Sequence, residues 1–352
     1  MNGYKIPHFG LKRQGKNLRD ELLDVTESVL SEGQYINGHY TKTFEQFLKF
    51  YTGAKFAITV HSGTQALYFI AKHFYNIVSR VEKNPTVIIP NLTYPATLNA
   101  FIDAGFNIAI GDTDKYGILS QQFNQIQYIK CLVGLYGKQP WASREETTIV
   151  DGAQHWLVSD GKIGRGMAIS FDPTKNLCAT GNGGAIVTND PDLYSFVNDI
   201  RSNGKYNDHL YSGTNSKMSE LDCAHLMVRS RHLPNWQIRR KKIADYYLDR
   251  FLNLPINCLT ENNEAHAHQK FVIYTNTRNS LHTHLLTEGI ESKIHYERTL
   301  SELTITSNFI KPDMMSVSMM LCKGVLSLPI YPELTDSEIE VIADAVVSFY
   351  DK

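Results

Sequence analysis

Short runs of β-branched and apolar residues recur through the first half of the chain, separated by longer stretches of helical period. The runs KFAITV (55–60), TVIIP (86–90), NIAIG (107–111), IKCLVGL (129–135), TTIVD (147–151), GMAISF (166–171) and GAIVT (184–188) predict strands. Between the first two, Ala66, Leu67, Ile70, Ala71, Phe74, Ile77 and Val78 recur at helical spacing and predict a helix with one buried face. Strands alternating with helices predict βαβ units, that is, an α/β fold whose mostly parallel sheet is buried between helices.

From about Ser219 to Phe251 the period is helical again, with an interruption expected at Pro234, which has no N–H to donate. This stretch reads as the connection leaving a large domain. After Pro255, shorter runs at 270–274, 292–296 and 325–328 predict strands, and Thr335 or Asp336 opens a closing helix. The expected division is a large domain over 1–240, with the N-terminal segment, and a smaller C-terminal α/β domain over 241–352. A chain of 352 residues suits two domains with a shared interface.

Composition acts here by exclusion. With a net charge of -1, the chain has no concentrated basic surface for nucleic acid or an anionic membrane. No apolar run approaches the roughly 20 residues of a membrane span, and the opening MNGYKIPHFGLKRQGK has no secretory apolar core, so a cytoplasmic protein is expected. The five cysteines form no CxxC pair, and the thirteen histidines show no HxxxH pair with a suitable carboxylate. Neither a disulfide framework nor a metal site is expected. The cluster Arg239, Arg240, Lys241 and Lys242 reads as a solvated helix face. His61 and His155 adjoin the motifs below and fit a cleft wall.

Three segments carry candidate chemistry. HSGTQAL (61–67) joins a strand to the start of the strong helix, where first-turn N–H groups and the Thr64 hydroxyl make an anion site. Alone, it is more often an ordinary Ser/Thr cap. IVDGAQHW (149–156) ends a strand in Asp151, at the edge where α/β sheets bind ligands, although a turn or cap role fits as well. SFDPTKNLCATGNGGAIVT (170–188) places Lys175 in a turn after a strand. A lysine in a protein-lined cleft has a lowered pKa and an amine able to attack an aldehyde, whereas most lysines are solvated surface groups.

In order, spacing and residue type these segments resemble the DegT/StrS family of sugar aminotransferases, members of the fold-type-I pyridoxal enzymes. The resemblance also runs through GQYINGHYTKTFEQFLKFYTGAKFAITV, PNLTYPATLNAFIDAG, GTNSKMSELDCAH and LPIYPELTDSEI, nearly the whole chain. It implies pyridoxal 5'-phosphate as cofactor and Lys175 as the Schiff-base lysine that also shuttles protons. By the same resemblance Asp151 meets the pyridine nitrogen, Gln154 the ring face or its hydroxyl, and Tyr94 stacks on the ring. Gly63, Thr64 and Gln65, helped by Ser170, match the phosphate cradle. Asn215 matches an asparagine that reaches the phosphate of a neighbouring subunit, which implies a homodimer with shared sites.

Substrate contacts are expected at Lys217, His295 and Tyr296. Here the chain departs from the family: Lys217 stands where an arginine is common, and HYERTL replaces an HYxPLH-like segment. The implied reaction moves an amino group from L-glutamate to a nucleotide-linked 4-keto-6-deoxyhexose, giving a 4-amino-4,6-dideoxyhexose for a surface glycan. Rival readings are a 3-keto-sugar transaminase and a non-catalytic cofactor- or nucleotide-binding regulator. A sugar dehydratase of the same scaffold would carry histidine in place of Lys175.

Overall fold

The computed structural model describes residues 4–125, 129–141, 147–260, 265–311 and 315–351. Helices α1 (Leu11–Asn17), α2 (Arg19–Glu32) and α3 (His39–Thr52) precede strand β1 (Phe56–Val60). There follow α4 (Gly63–Val78), β2 (Thr86–Pro90), α5 (Pro95–Ala104), β3 (Asn107–Gly111), β4 (Ile129–Val133), β5 (Thr148–Asp151), β6 (Gly166–Ser170), β7 (Gly184–Thr188) and α6 (Pro191–Ile200). All seven expected strands form. They make one sheet in the order β1-β7-β6-β5-β4-β2-β3, with β3, β2, β4, β5 and β6 parallel and β7 antiparallel to both its neighbours.

The sheet is covered on both faces, which is why its strands read as continuous apolar runs. On one face Ile58, Val87, Ile89 and Ile149 pack against Leu67, Ile70 and Phe74 of α4 and Phe101 of α5. On the other, Val150, Met167, Ile169 and Val187 meet Phe44 and Leu48 of α3 and Leu226 and Leu233 of the long helix α7 (Glu220–Arg250).

Contrary to expectation, α7 runs unbroken through Pro234. Packing overrides the missing hydrogen bond: Leu226 and Leu233 sit in the core just described, and Ile243 and Tyr247 sit in a second one. That second core lies under a three-stranded antiparallel sheet, ordered β10-β9-β8, of β8 (Asn257–Cys258), β9 (Phe271–Tyr274) and β10 (Val325–Leu328). Helices α8 (Arg278–Thr287) and α10 (Asp336–Tyr350) complete it, while α9 (Ser316–Gly324) leads into β10. Thr335 caps α10 in a reciprocal capping box with Glu338. Ile6 joins the same core and pairs with Ile290.

Two further expectations are corrected. Residues 292–296 form no strand; Lys293 alone pairs with Ser327, because the chain then turns to carry His295 and Tyr296 into a cavity. The basic cluster is not a uniformly solvated face either. Arg240 is buried and donates through Nη1 to the carbonyls of His268 (3.1 Å) and Ile330 (2.7 Å), and Arg239 donates to the carbonyl of Leu334. Only Lys241 and Lys242 face water. Among the described residues no helix is long and apolar enough to cross a membrane.

A buried carboxylate ties the N-terminal helices to this frame. Glu220, at the start of α7, accepts the N–H groups of Gly38, Tyr40 and Thr41 and the Thr41 hydroxyl. A Cβ at Gly38 would lie 2.4 Å from the Glu220 carboxylate and would force it to shift. Glu220→Ala strands these donors, and we expect urea unfolding to show a loss of roughly 2–3 kcal/mol with an unchanged m-value.

Candidate active site

Parallel strands deliver their C-terminal residues to one edge of the sheet, and that edge opens into a cavity of about 540 Å³. Val133, Asp151 and Ser170, the last residues of β4, β5 and β6, line it together with the start of α4. Of the expected site residues, Gly63, Thr64, Tyr94, Asp151, Gln154, Ser170, Lys175, His295 and Tyr296 all line this one space. They come from five separate segments of the chain.

Asp151 is held by short-range contacts. Its Oδ2 accepts the Thr97 hydroxyl at 2.8 Å and its Oδ1 accepts the Ala153 N–H at 3.1 Å. Burial raises its pKa, opposed by these two hydrogen bonds and by Lys175. Lys175 follows a turn in which Asp172 Oδ1 accepts the Thr174 N–H at 2.9 Å, and the Lys175 N–H donates to the Asp172 carbonyl at 2.9 Å. Burial lowers the Lys175 pKa, opposed by Asp151 and Asp172. Burial thus acts on both groups in the direction of the neutral form, and each one's charge opposes that effect on the other.

At the start of α4, the Ser62 hydroxyl accepts the Gln65 N–H at 3.1 Å. The N–H groups ahead of Gln65 have no partner within the helix and are left for an anion. Close approach needs glycine: a Cβ on Gly63 would lie 2.6 Å from Ser170 Cβ, and one on Gly184 would lie 2.3 Å from the Ser62 carbonyl carbon. Gln65 itself contributes its N–H to the cap and does not line the cavity.

Tyr94, the N-cap residue of α5, is 59% exposed, and its ring lies 5.9 Å from the ring of Tyr296. Gln154 is buried and its Oε1 accepts the N–H of Tyr136 at 2.9 Å. Tyr136 has a left-handed backbone (φ 61°), and its hydroxyl donates to the His295 carbonyl. The His295 ring pairs with the Ser327 hydroxyl at 2.8 Å, and its pKa is pushed down to about 2 by burial and by Lys270, His8, Lys293 and Lys175. The ring is therefore neutral. A chain of contacts thus links the strand ends to the segment that failed to form a strand.

Asn215 and Lys217 stand apart. Lys217 Nζ donates to Asn215 Oδ1 at 2.7 Å, and neither residue lines the cavity, though the carbonyl of Ser216 between them accepts the His61 N–H beside α4. His155, expected near a cleft wall, is buried behind Gly134 instead, with its pKa lowered to about 3 by burial. Sequence reasoning missed Phe9, Thr97, Asp172, Lys270 and Lys293 of the cavity wall. Thr97 alone carried a signal, lying three residues past Tyr94 and so on the same face of the first turn of α5.

A sheet of this order, with a lysine and a carboxylate at one strand edge beside a helix start, defines the scaffold of fold-type-I pyridoxal-phosphate enzymes. The family model of the DegT/DnrJ/EryC1/StrS aminotransferases matches residues 16–121 and 152–347, and the chain belongs to that family of pyridoxal-phosphate-dependent sugar aminotransferases. It is 29% identical to the dTDP-3-amino-3,6-dideoxy-alpha-D-galactopyranose transaminase of Aneurinibacillus thermoaerophilus, over 97% of this chain and 98% of that protein. It is 26% identical to a pleiotropic regulatory protein of Geobacillus stearothermophilus, over 98% of each. The structure of S. venezuelae DesV in complex with ketimine intermediate superposes with a TM-score of 0.88 at 27% identity, covering 99% of both chains.

Proposed function

We propose that the cavity binds pyridoxal phosphate through Lys175 and transfers an amino group from L-glutamate to a nucleotide-linked 4-keto-6-deoxyhexose. The observation carrying this reading is the meeting, in one cavity, of a buried lysine whose pKa burial lowers, a tethered carboxylate and an uncommitted helix start. The residues fit the cofactor at each of its three anchoring points. Asp151, fixed by Thr97 and Ala153, would hold the proton on the pyridine nitrogen. The first turn of α4, with Ser170, would take the phosphate, and the ring of Tyr94 would cover one face. When bound, the cofactor supplies an aldehyde to carry the amino group and a cationic ring that draws electrons from the breaking bond.

Lys175 then has two tasks. Its amine would hold the cofactor covalently, and the same Nζ, when free, would take a proton from the donor's carbon and give it back in the transfer. Asp151 would hold a proton on the ring nitrogen, while Tyr296 and His295 would bound the substrate end. The large domain of 1–240 would carry the cofactor contacts and the small domain of 241–352 would close that end. A homodimer is part of the reading: Asn215 and Lys217 do not line their own cavity, and the family resemblance would have Asn215 reach the phosphate of a neighbouring subunit.

Transfer at C3 of the sugar is the second reading, favoured by the name of the Aneurinibacillus relative, a 3-amino-sugar transaminase. A panel of 3-keto and 4-keto sugars on dTDP, UDP and GDP, with glutamate and a readout of 2-oxoglutarate, separates them. We expect turnover with a 4-keto sugar; turnover with 3-keto sugars alone selects the second reading, and no turnover with any sugar contradicts both.

A further inference from the structure

The cavity holds a second lysine that the reaction above leaves without a task. Lys270 immediately precedes β9 and is only 6% exposed, yet it lines the same space as Lys175. Its backbone is fixed by a hydrogen bond from its N–H to the Tyr136 carbonyl at 3.0 Å. The charges acting on its ammonium are mainly cationic, Lys175, Arg240 and Lys293, with Asp172 opposing them. The Phe9 ring borders both lysines, its centroid 5.8 Å from Lys270 Nζ and 4.9 Å from Lys293 Nζ.

Lys293 has Glu291 at 3.5 Å, and Arg240 is committed to two carbonyls. Lys270 forms no ion pair or side-chain hydrogen bond among the described residues. A buried ammonium without a partner is costly, and the cost is recovered only when an anion arrives. Burial and the neighbouring cations bring its pKa down to about 7, so the cost is partly avoided by shedding the proton while the position is vacant of charge.

Resting on the proposed transaminase reading, we propose that Lys270 is the seat of the amino donor's carboxylate, the one attached to the carbon that yields its nitrogen. Distance from the reacting centre selects this anion over the sugar's diphosphate. In an amino acid the carboxylate hangs on the same carbon as the nitrogen. When that nitrogen takes the place of the Lys175 amine, the carboxylate is within reach of the groups next to Lys175, and Lys175 is the charged group that acts most strongly on Lys270. A diphosphate is separated from C3 or C4 by the sugar ring and falls farther off. A keto sugar brings no charge to this spot, and a lysine able to become neutral accommodates it without an unpaired cation. One residue thereby serves both half-reactions.

The test uses cofactor-loaded protein and two non-reacting probes: glutarate, a dicarboxylate without an amine, and dTDP or UDP, which carry the diphosphate. Calorimetric titration of Lys270→Met should show glutarate affinity reduced about ten-fold or more, as expected for the loss of a charge-assisted contact, with nucleotide affinity within two-fold of the parent. Lys270→Arg should restore most of the glutarate binding. In the parent, glutarate affinity should be full below pH 7 and decline as pH rises beyond it, because only the protonated lysine attracts the anion.

Unchanged glutarate affinity in Lys270→Met overturns the proposal, as does selective loss of nucleotide binding, which assigns the lysine to the diphosphate. Should Lys270→Met not fold, the pH series on the parent decides: a flat affinity between pH 6 and pH 8.5 overturns it. Failure of the broader reading looks different, since the parent would then not take up pyridoxal phosphate at all.

Discussion

Lys175→Ala should lower amino transfer by about 10⁴-fold, the upper range for removing a positioned acid–base group, while the fold and cofactor uptake persist. The amine lies in the cavity beside Asp151, and no other lysine there can take its place without moving: Lys270 and Lys293 come from the second sheet and the segment beside it. The phosphate and ring contacts at α4, Thr97 and Tyr94 do not involve Lys175, so the variant should still bind pyridoxal phosphate, now reversibly. Stopped-flow absorbance with glutamate as the only substrate measures the first half-reaction directly. Because burial lowers the Lys175 pKa, activity of the parent should rise with pH as its amine loses its proton, and that limb should vanish in the variant.

Asp151→Asn is expected to have the second largest effect. The amide preserves the shape and can still accept from Thr97 and Ala153, so stability should change little. It lacks the charge that keeps a proton on the pyridine nitrogen. Loss of one such electrostatic contact costs about 10²–10³-fold in kcat, and both half-reactions should fall together. A change in KM for glutamate with kcat unaltered would place Asp151 on the substrate instead of the cofactor.

These effects depend on residues that are legible in the amino-acid sequence itself. The strands were readable because each is short, β-branched and buried on both faces, so its apolar run is uninterrupted, and strand ends fix where Asp151 and Ser170 point. The helix start at 63 was readable from its serine cap and glycine. What escaped were features decided by distant partners. Pro234 looks like a break, yet two cores hold α7 continuous across it. Residues 292–296 have strand composition, but the hydrogen bond from Tyr136 to the His295 carbonyl belongs to a turn that no local pattern encodes. Arg240 looks like one charge in a solvated run until the carbonyls of His268 and Ile330 are brought to it from elsewhere in the chain. Phe9 and Lys270 reach the cavity in the same way, from segments with no motif of their own.

The most direct measurement is reduction of the cofactor-loaded protein with borohydride, followed by digestion and mass spectrometry of the labelled peptide. A pyridoxyl group on Lys175, in the peptide spanning the turn after β6, is the predicted result. Label on Lys270 or Lys293, or protein that binds no pyridoxal phosphate, would contradict the assignment of this cavity.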